Sequence, residues 1–118
     1  MVMCIIPCLA FSHQHLSDIV SAVTGWETSV TEQMQVAERI LTTLRLFNYR
    51  EGFSRKEDWL PQRFFEPKTD GPLSESDKAL NPEKYRQALQ YYYTLMGWDP
   101  STGAPLPEKI EELGIIQP

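Results

Sequence analysis

The stretch SVTEQMQVAERILTTLRLFNYREG, residues 29–52, decides how this chain folds. It opens on Ser29-Val30-Thr31-Glu32, an S-x-x-E capping box in which the serine hydroxyl takes an orphan amide of the first turn and the glutamate reaches back to the serine amide. Behind the box Val30, Met34, Ala37, Ile40, Leu41, Leu44 and Phe47 recur at helical spacing and line one face. Gly52 ends the pattern after about six turns at 3.6 residues each. The spacing predicts one long central helix.

Working outward, Leu16, Ile19, Val20 and Val23 stand at i, i+3, i+4 and i+7, the stripe of an earlier helix that Gly25 stops. Downstream, from Phe53 to Leu80, the periodicity fails. Pro61, Pro67, Pro72 and Gly71 arrive among charges of both signs with Trp59, Phe64 and Phe65, a composition that predicts an ordered linker loop over 53–80 pinned by its aromatic residues. Asn81-Pro82 then supplies an N-cap followed by proline at the first helical position. Tyr85, Ala88, Leu89, Tyr92 and Met96 continue at helical spacing to Gly97. Pro107 opens a last short helix whose Ile110 and Leu113 face inward before Gly114. No strand alternation of useful length interrupts these elements, so the expectation is an all-α, multihelical domain of four to five helices around the long central one, occupying 1–118 as a single domain. A small echo joins Thr24-Gly25-Trp26-Glu27 to Met96-Gly97-Trp98-Asp99. In each, glycine can take the left-handed cap and the tryptophan can fold back over the helix end.

Composition bounds what such a domain can do. At 118 residues with 42% hydrophobic and 23% charged side chains, the chain is long enough for one buried core. Its longest apolar stretch, Cys4 to Phe11, contains Pro7 and is far shorter than the roughly 20 residues that cross a bilayer. Neither a membrane span nor a secretory signal is expected, and a cytoplasmic location is the default. Eleven Lys and Arg against sixteen Asp and Glu leave a net charge of -5, the wrong sign for attraction to nucleic acid.

Potential metal chemistry is concentrated in Cys4, Cys8, His13 and His15. C-x3-C-x4-H-x-H has too short a middle for a zinc finger, and its H-x-H lacks the usual spacing. The plainer reading makes Cys8 a small buried hydrophobe and has the histidines cap or solvate the next helix. A stoichiometric zinc content would decide between the two. A second candidate is the cationic run Arg45, Arg50, Arg55, Lys56 and Arg63, interleaved with Phe47, Tyr49, Phe53, Trp59 and Phe64. Such a patch can fork onto a phosphate-bearing ligand, or it can pair with nearby acids and carbonyls at a helix end. No glycine-rich phosphate loop adjoins it, and neither G-x-S-x-G nor H-E-x-x-H occurs. Catalytic residues of those kinds are not expected.

Three further runs carry a family resemblance: Ser21-Ala22-Val23-Thr24-Gly25-Trp26-Glu27, then Ala37-Glu38-Arg39-Ile40, then Arg45-Leu46-Phe47-Asn48-Tyr49-Arg50-Glu51-Gly52-Phe53. With Arg55-Lys56-Glu57-Asp58, Leu60-Pro61-Gln62-Arg63-Phe64, Tyr91 to Asp99 and Glu112-Leu113-Gly114, they closely resemble the C-terminal region of the tungsten- or molybdenum-pterin aldehyde:ferredoxin oxidoreductases. The resemblance covers the whole chain in order. It implies part of an oxidoreductase that turns aldehydes into carboxylic acids at a metal held by two pterins, with electron transfer through an iron-sulfur 4Fe-4S cluster to ferredoxin.

In that family three cluster cysteines lie in an upstream C-x2-C-x3-C motif, and the fourth closes a D-x-x-G-L-C segment beside the pterin. Cys4 matches the fourth cysteine, making it the iron-sulfur ligand the resemblance implies. Met3 matches the leucine of that pterin-side segment, Val2 stands where the family has glycine, and the aspartate would precede Met1. Residues 1–14 would thus be the cluster-side segment. His13 and His15 match nothing in the motif. The implied partners are the upstream domains or subunit of the same enzyme, and ferredoxin through the whole enzyme. The isolated chain, a C-terminal fragment or domain in this reading, should hold neither cluster nor molybdopterin-type cofactor and should be inactive. The alternative is a stand-alone, non-catalytic helical interaction module that kept the fold and lost the chemistry.

Overall fold

A computed structural model describes residues 10–71 and 79–116. Met3, Cys4 and Cys8, and residues 72–78 of the 53–80 loop, lie outside them. Among the described residues the chain is all-α: α1 (His13–Thr24), α2 (Val30–Arg50), α3 (Pro82–Met96) and α4 (Pro107–Glu112), with 3-10 turns at Arg55–Asp58 and Gln62–Phe64. Extended pairing among them is limited to one antiparallel bridge between Trp98 and Pro105. No helix among them is long and apolar enough to cross a membrane. The chain divides into two compact units, Met1–Leu41 and Thr42–Pro118, with the division falling inside α2.

In the first unit α1 starts on a reciprocal box. Ser12 Oγ accepts the His15 amide at 3.3 Å, and His15 Nδ1 accepts the Ser12 amide at 3.3 Å. The helix stops at Gly25, whose φ of 73° is the left-handed cap the sequence predicts. The link to α2 is sewn by polar groups rather than apolar ones. Buried Ser17 donates to the Thr28 carbonyl, the Thr28 amide donates to Ser21 Oγ at 3.4 Å, and Gln33 Nε2 donates to Thr28 Oγ1 at 2.9 Å. Ser29 and Glu32 then form the expected box, with the Ser29 amide 2.7 Å from the Glu32 carboxylate.

The second unit holds the buried apolar residues, Tyr93, Trp98, Ile110 and Leu113. Asn81 Oδ1 accepts the Lys84 amide at 3.0 Å and Pro82 occupies the first turn of α3, which ends at left-handed Gly97. Residues 97–106 then turn back on themselves: the Asp99 amide donates to the Ala104 carbonyl, the Gly103 amide to that of Asp99, both at 2.7 Å, and the Leu106 amide to that of Gly97 at 3.0 Å. Asp99 braces the turn, its carboxylate taking the Ser101 hydroxyl and the amides of Ser101 and Thr102. The Ser101 hydroxyl first, and then the two amides, hold its pKa below the usual carboxylate value. Beside α3, Trp59 stacks on Phe65 at 5.0 Å and meets Tyr85 edge-on at 5.3 Å, so aromatic contacts pin the segment between α2 and α3.

The apolar stripe of α2 is exposed: Met34, Ile40 and Leu41 in the first unit, Leu44 and Phe47 in the second. The fully buried position on that helix is Thr42, one residue and about 100° around from Leu41. On the second unit's stretch of α2 the side chain that packs inward is a guanidinium rather than Leu44.

Candidate functional site

That guanidinium belongs to Arg45, and it organises the second unit. Its two terminal nitrogens donate to the two carboxylate oxygens of Asp58 at 2.8 and 2.6 Å, and its Nε donates to the Gly103 carbonyl at 2.8 Å. The cation lies 5.3 Å from the Trp98 ring centre and 5.8 Å from that of Tyr93, within cation–π range of both. The Arg45 side chain is only 10% exposed, and a forked, ring-covered pair is the arrangement that offsets the desolvation of a buried guanidinium.

Each partner is delivered by a local device. Ser54 caps the 3-10 turn that carries Asp58: its amide and hydroxyl donate to the Glu57 carboxylate at 2.6 and 3.0 Å, and its oxygen accepts the Lys56 amide at 3.3 Å. The Ser54 amide, then its hydroxyl, pulls the Glu57 pKa below the usual value. Tyr93, from α3, donates its phenol to Asp58, and Tyr85, two turns earlier, donates to the Asp58 carbonyl at 3.0 Å. Burial, and next the hydrogen bond to Asp58 and that residue's charge, push the Tyr93 phenol above its ordinary range against the pull of Arg45 and Arg55. Gly103 sits at φ 74°, and a Cβ there would run into the Arg45 guanidinium. Every oxygen of Asp58 is thereby engaged. The node fixes a charge; it offers no open acid, base or nucleophile to a substrate.

The node absorbs the first member of the cationic run. Arg63 folds over Phe64, 5.4 Å from the ring centre, while Arg55 and Lys56 line a shallow cavity of about 270 Å³ with Trp59, Arg86 and Leu89. The sequence reading missed Asp58, Tyr93, Gly103 and Arg86. Ser54-x-x-Glu57 repeats the S-x-x-E spacing and could have marked the turn that presents Asp58; nothing local marks Gly103.

Of the metal candidates, His15 is spent on the Ser12 box and His13 is exposed on the first turn of α1. Among the described residues no group of three or more His, Cys, Asp or Glu could hold a metal ion. The donor set also limits an iron-sulfur cubane, which takes four thiolates. This chain has two cysteines in all, so it can contribute corners to a cubane and cannot supply all four by itself.

Comparison with known proteins gives a consistent result. Residues 1–115 match the family described as aldehyde ferredoxin oxidoreductase, domains 2 and 3. A tungsten-containing aldehyde ferredoxin oxidoreductase of Pyrococcus horikoshii is 32% identical over 96% of this chain, and one of Pyrococcus furiosus 30% identical over 98%. The chain spans 18% of the length of each of these relatives. The WOR-like subunit of an aliphatic sulfonate oxidoreductase from Pyrococcus furiosus is 43% identical over 52% of the chain.

Proposed function

Because the chain belongs to the aldehyde ferredoxin oxidoreductase family, in the part described as domains 2 and 3, we propose that it serves as the helical C-terminal domain of such an oxidoreductase, docked on upstream polypeptide that carries the remaining chemistry. The observation that carries this reading is the coincidence of an end-to-end match with an unusual surface. The chain aligns over 96–98% of its length with proteins of which it spans 18%, and it leaves large apolar side chains in the open. Val23 and Trp26 are 78% and 72% exposed in the first unit, Tyr91 and Leu95 74% and 79% in the second. Tyr91 and Leu95 stand one turn apart on α3, and Val23 and Trp26 flank the cap of α1; exposed apolar side chains of this size mark surface that association covers.

In this reading Cys4 supplies the fourth thiolate of a 4Fe-4S cluster whose other three come from an upstream C-x2-C-x3-C motif, and Met3 lies along the pterin. The cluster, when bound, relays electrons from aldehyde oxidation toward ferredoxin. The metal is tungsten, as in the named relatives, or molybdenum. This chain's own part is to present one sulfur and to exclude water with its apolar faces, over a second unit held rigid by Arg45 and Asp58.

Co-expression with an upstream polypeptide of the family containing the cysteine triplet, followed by iron and sulfide analysis, tests the proposal. A brown complex that loses iron on Cys4→Ala is expected. A complex keeping its full iron after that substitution would remove Cys4 from the cluster, and a colourless chain that ignores the polypeptide would favour the free-standing interaction module.

A further inference from the structure

The cavity beside the 3-10 turn at Arg55–Asp58 has a lining that neither the node nor the docking reading uses. Three of its five lining residues, Arg55, Lys56 and Arg86, are cationic and none is acidic, in a chain whose net charge is -5. The acids nearest in sequence are already committed. Glu57 is bound to Ser54, Asp58 to Arg45 and Tyr93, and Glu83 to Arg86 on the exposed side of α3. The cations are held in different ways. One terminal nitrogen of Arg55 donates to the Pro100 carbonyl at 2.8 Å, which orients the fork and leaves its other donors unspent. Arg86 gives one terminal nitrogen to Glu83 and lies 5.9 Å over the Trp59 ring with its other donors left over, and the Lys56 ammonium, whose charge also acts on Glu57, makes no ion pair or hydrogen bond among the described residues. Trp59 and Leu89 complete the wall with apolar surface.

From this lining we infer a binding site for an organic carboxylate carried on an apolar or aromatic body. The flat pair of carboxylate oxygens matches a guanidinium fork, and the body rests on the indole and Leu89. A bare phosphate would leave that apolar wall without a partner. A volume of about 270 Å³ suits a ligand the size of benzoate, or one acidic side chain beside an aromatic one on a polypeptide. The open, solvated setting places affinity on the order of millimolar.

The test follows the indole N–H resonance of Trp59 in the full 118-residue chain, assigned with Trp59→Phe, during titration at constant ionic strength. The probes are benzoate, a blocked peptide pairing glutamate with phenylalanine, and inorganic phosphate. A saturable shift with benzoate, absent at Trp98, is the expected result, and Lys56→Gln combined with Arg86→Gln should weaken it by about tenfold. Both substitutions are at exposed positions, so an unchanged backbone spectrum certifies the fold. Tighter binding of the peptide would identify a protein-borne carboxylate, and tighter binding of benzoate a free one; both support the site. No saturable shift with either, phosphate binding as tightly as benzoate, or indifference to the double substitution would overturn it.

Discussion

Two corners of this chain are spelled almost alike and end differently. At Thr24-Gly25-Trp26 and Met96-Gly97-Trp98 the glycine takes the same left-handed cap, with φ of 73° and 66°, yet Trp26 is 72% exposed and Trp98 5%. The cap is a local matter of backbone sterics, and both sequences satisfy it. Burial of the indole is not local. Trp98 has Tyr92 edge-on at 5.5 Å, Tyr93 at 6.2 Å and the Arg45 cation over its face. At Trp26 the described contact is a backbone one, its amide donating to Thr24 Oγ1 at 3.1 Å. Spelling alone therefore sets where a helix stops, and the partners brought in from elsewhere set what its next residue does.

Substitution separates the two corners most sharply at the indoles. In the isolated chain Trp98→Ala should cost about 3–5 kcal/mol of unfolding free energy and Trp26→Ala no more than about 0.5 kcal/mol, both read by urea denaturation. Equal losses would mean that Trp26 is packed after all. Asp58→Asn, which strands Arg45 with its charge largely buried, should cost about 3 kcal/mol. Most of that loss should return if Arg45→Met is added, because the pair then disappears together.

The glycines come next. Gly103→Ala forces a Cβ into Arg45 as well as straining a positive φ and should cost about 2 kcal/mol. Gly25→Ala, where a Cβ meets nothing within 4 Å, should cost only the backbone strain, about 1 kcal/mol. Titration is the mildest probe. The Tyr93 phenol is raised in the folded state, so the unfolded chain deprotonates first. The stability it contributes is whole below pH 10 and declines as pH climbs through the folded value, a loss that Tyr93→Phe should abolish. Glu32 and Glu57 are lowered by their capping hydrogen bonds, mainly to the Ser29 and Ser54 amides. Their contribution is present above the ordinary carboxylate value and fades as pH falls below it, so acid melting should reach both units while the alkaline effect stays with the second.

The same distinction explains what could be read from residue order. Capping boxes, Asn81-Pro82 and the stop glycines act within four residues, and the helices they bound are where the spacing predicts. Ile110 and Leu113 are buried as expected. The exposure of the α2 stripe was not legible, because the periodicity of Met34, Leu41, Leu44 and Phe47 announces an apolar face without saying whether the chain's own residues cover it. Nor was the node: Asp58, Tyr93 and Gly103 reach Arg45 from separate elements, and only the capped turn before Asp58 leaves a trace in sequence. The family resemblance read from residues 21–114 matches the comparison over 1–115, since runs such as Asn48-Tyr49-Arg50-Glu51-Gly52-Phe53 are specific in themselves.

The reach of Arg45 also bears on the order in which the molecule can be assembled. Asp58 follows it by 13 residues, while the Gly103 carbonyl follows by 58. During synthesis from the N-terminus the arginine leaves the ribosome with its hydration shell and can pair early with the aspartate. It gains its aromatic roof and its last acceptor only after α3 and the returning turn have emerged. Long-separated contacts of this kind are made late, because the intervening loop must close before they reward it. The second unit should therefore lock only once residue 103 has emerged, in a single cooperative event rather than helix by helix.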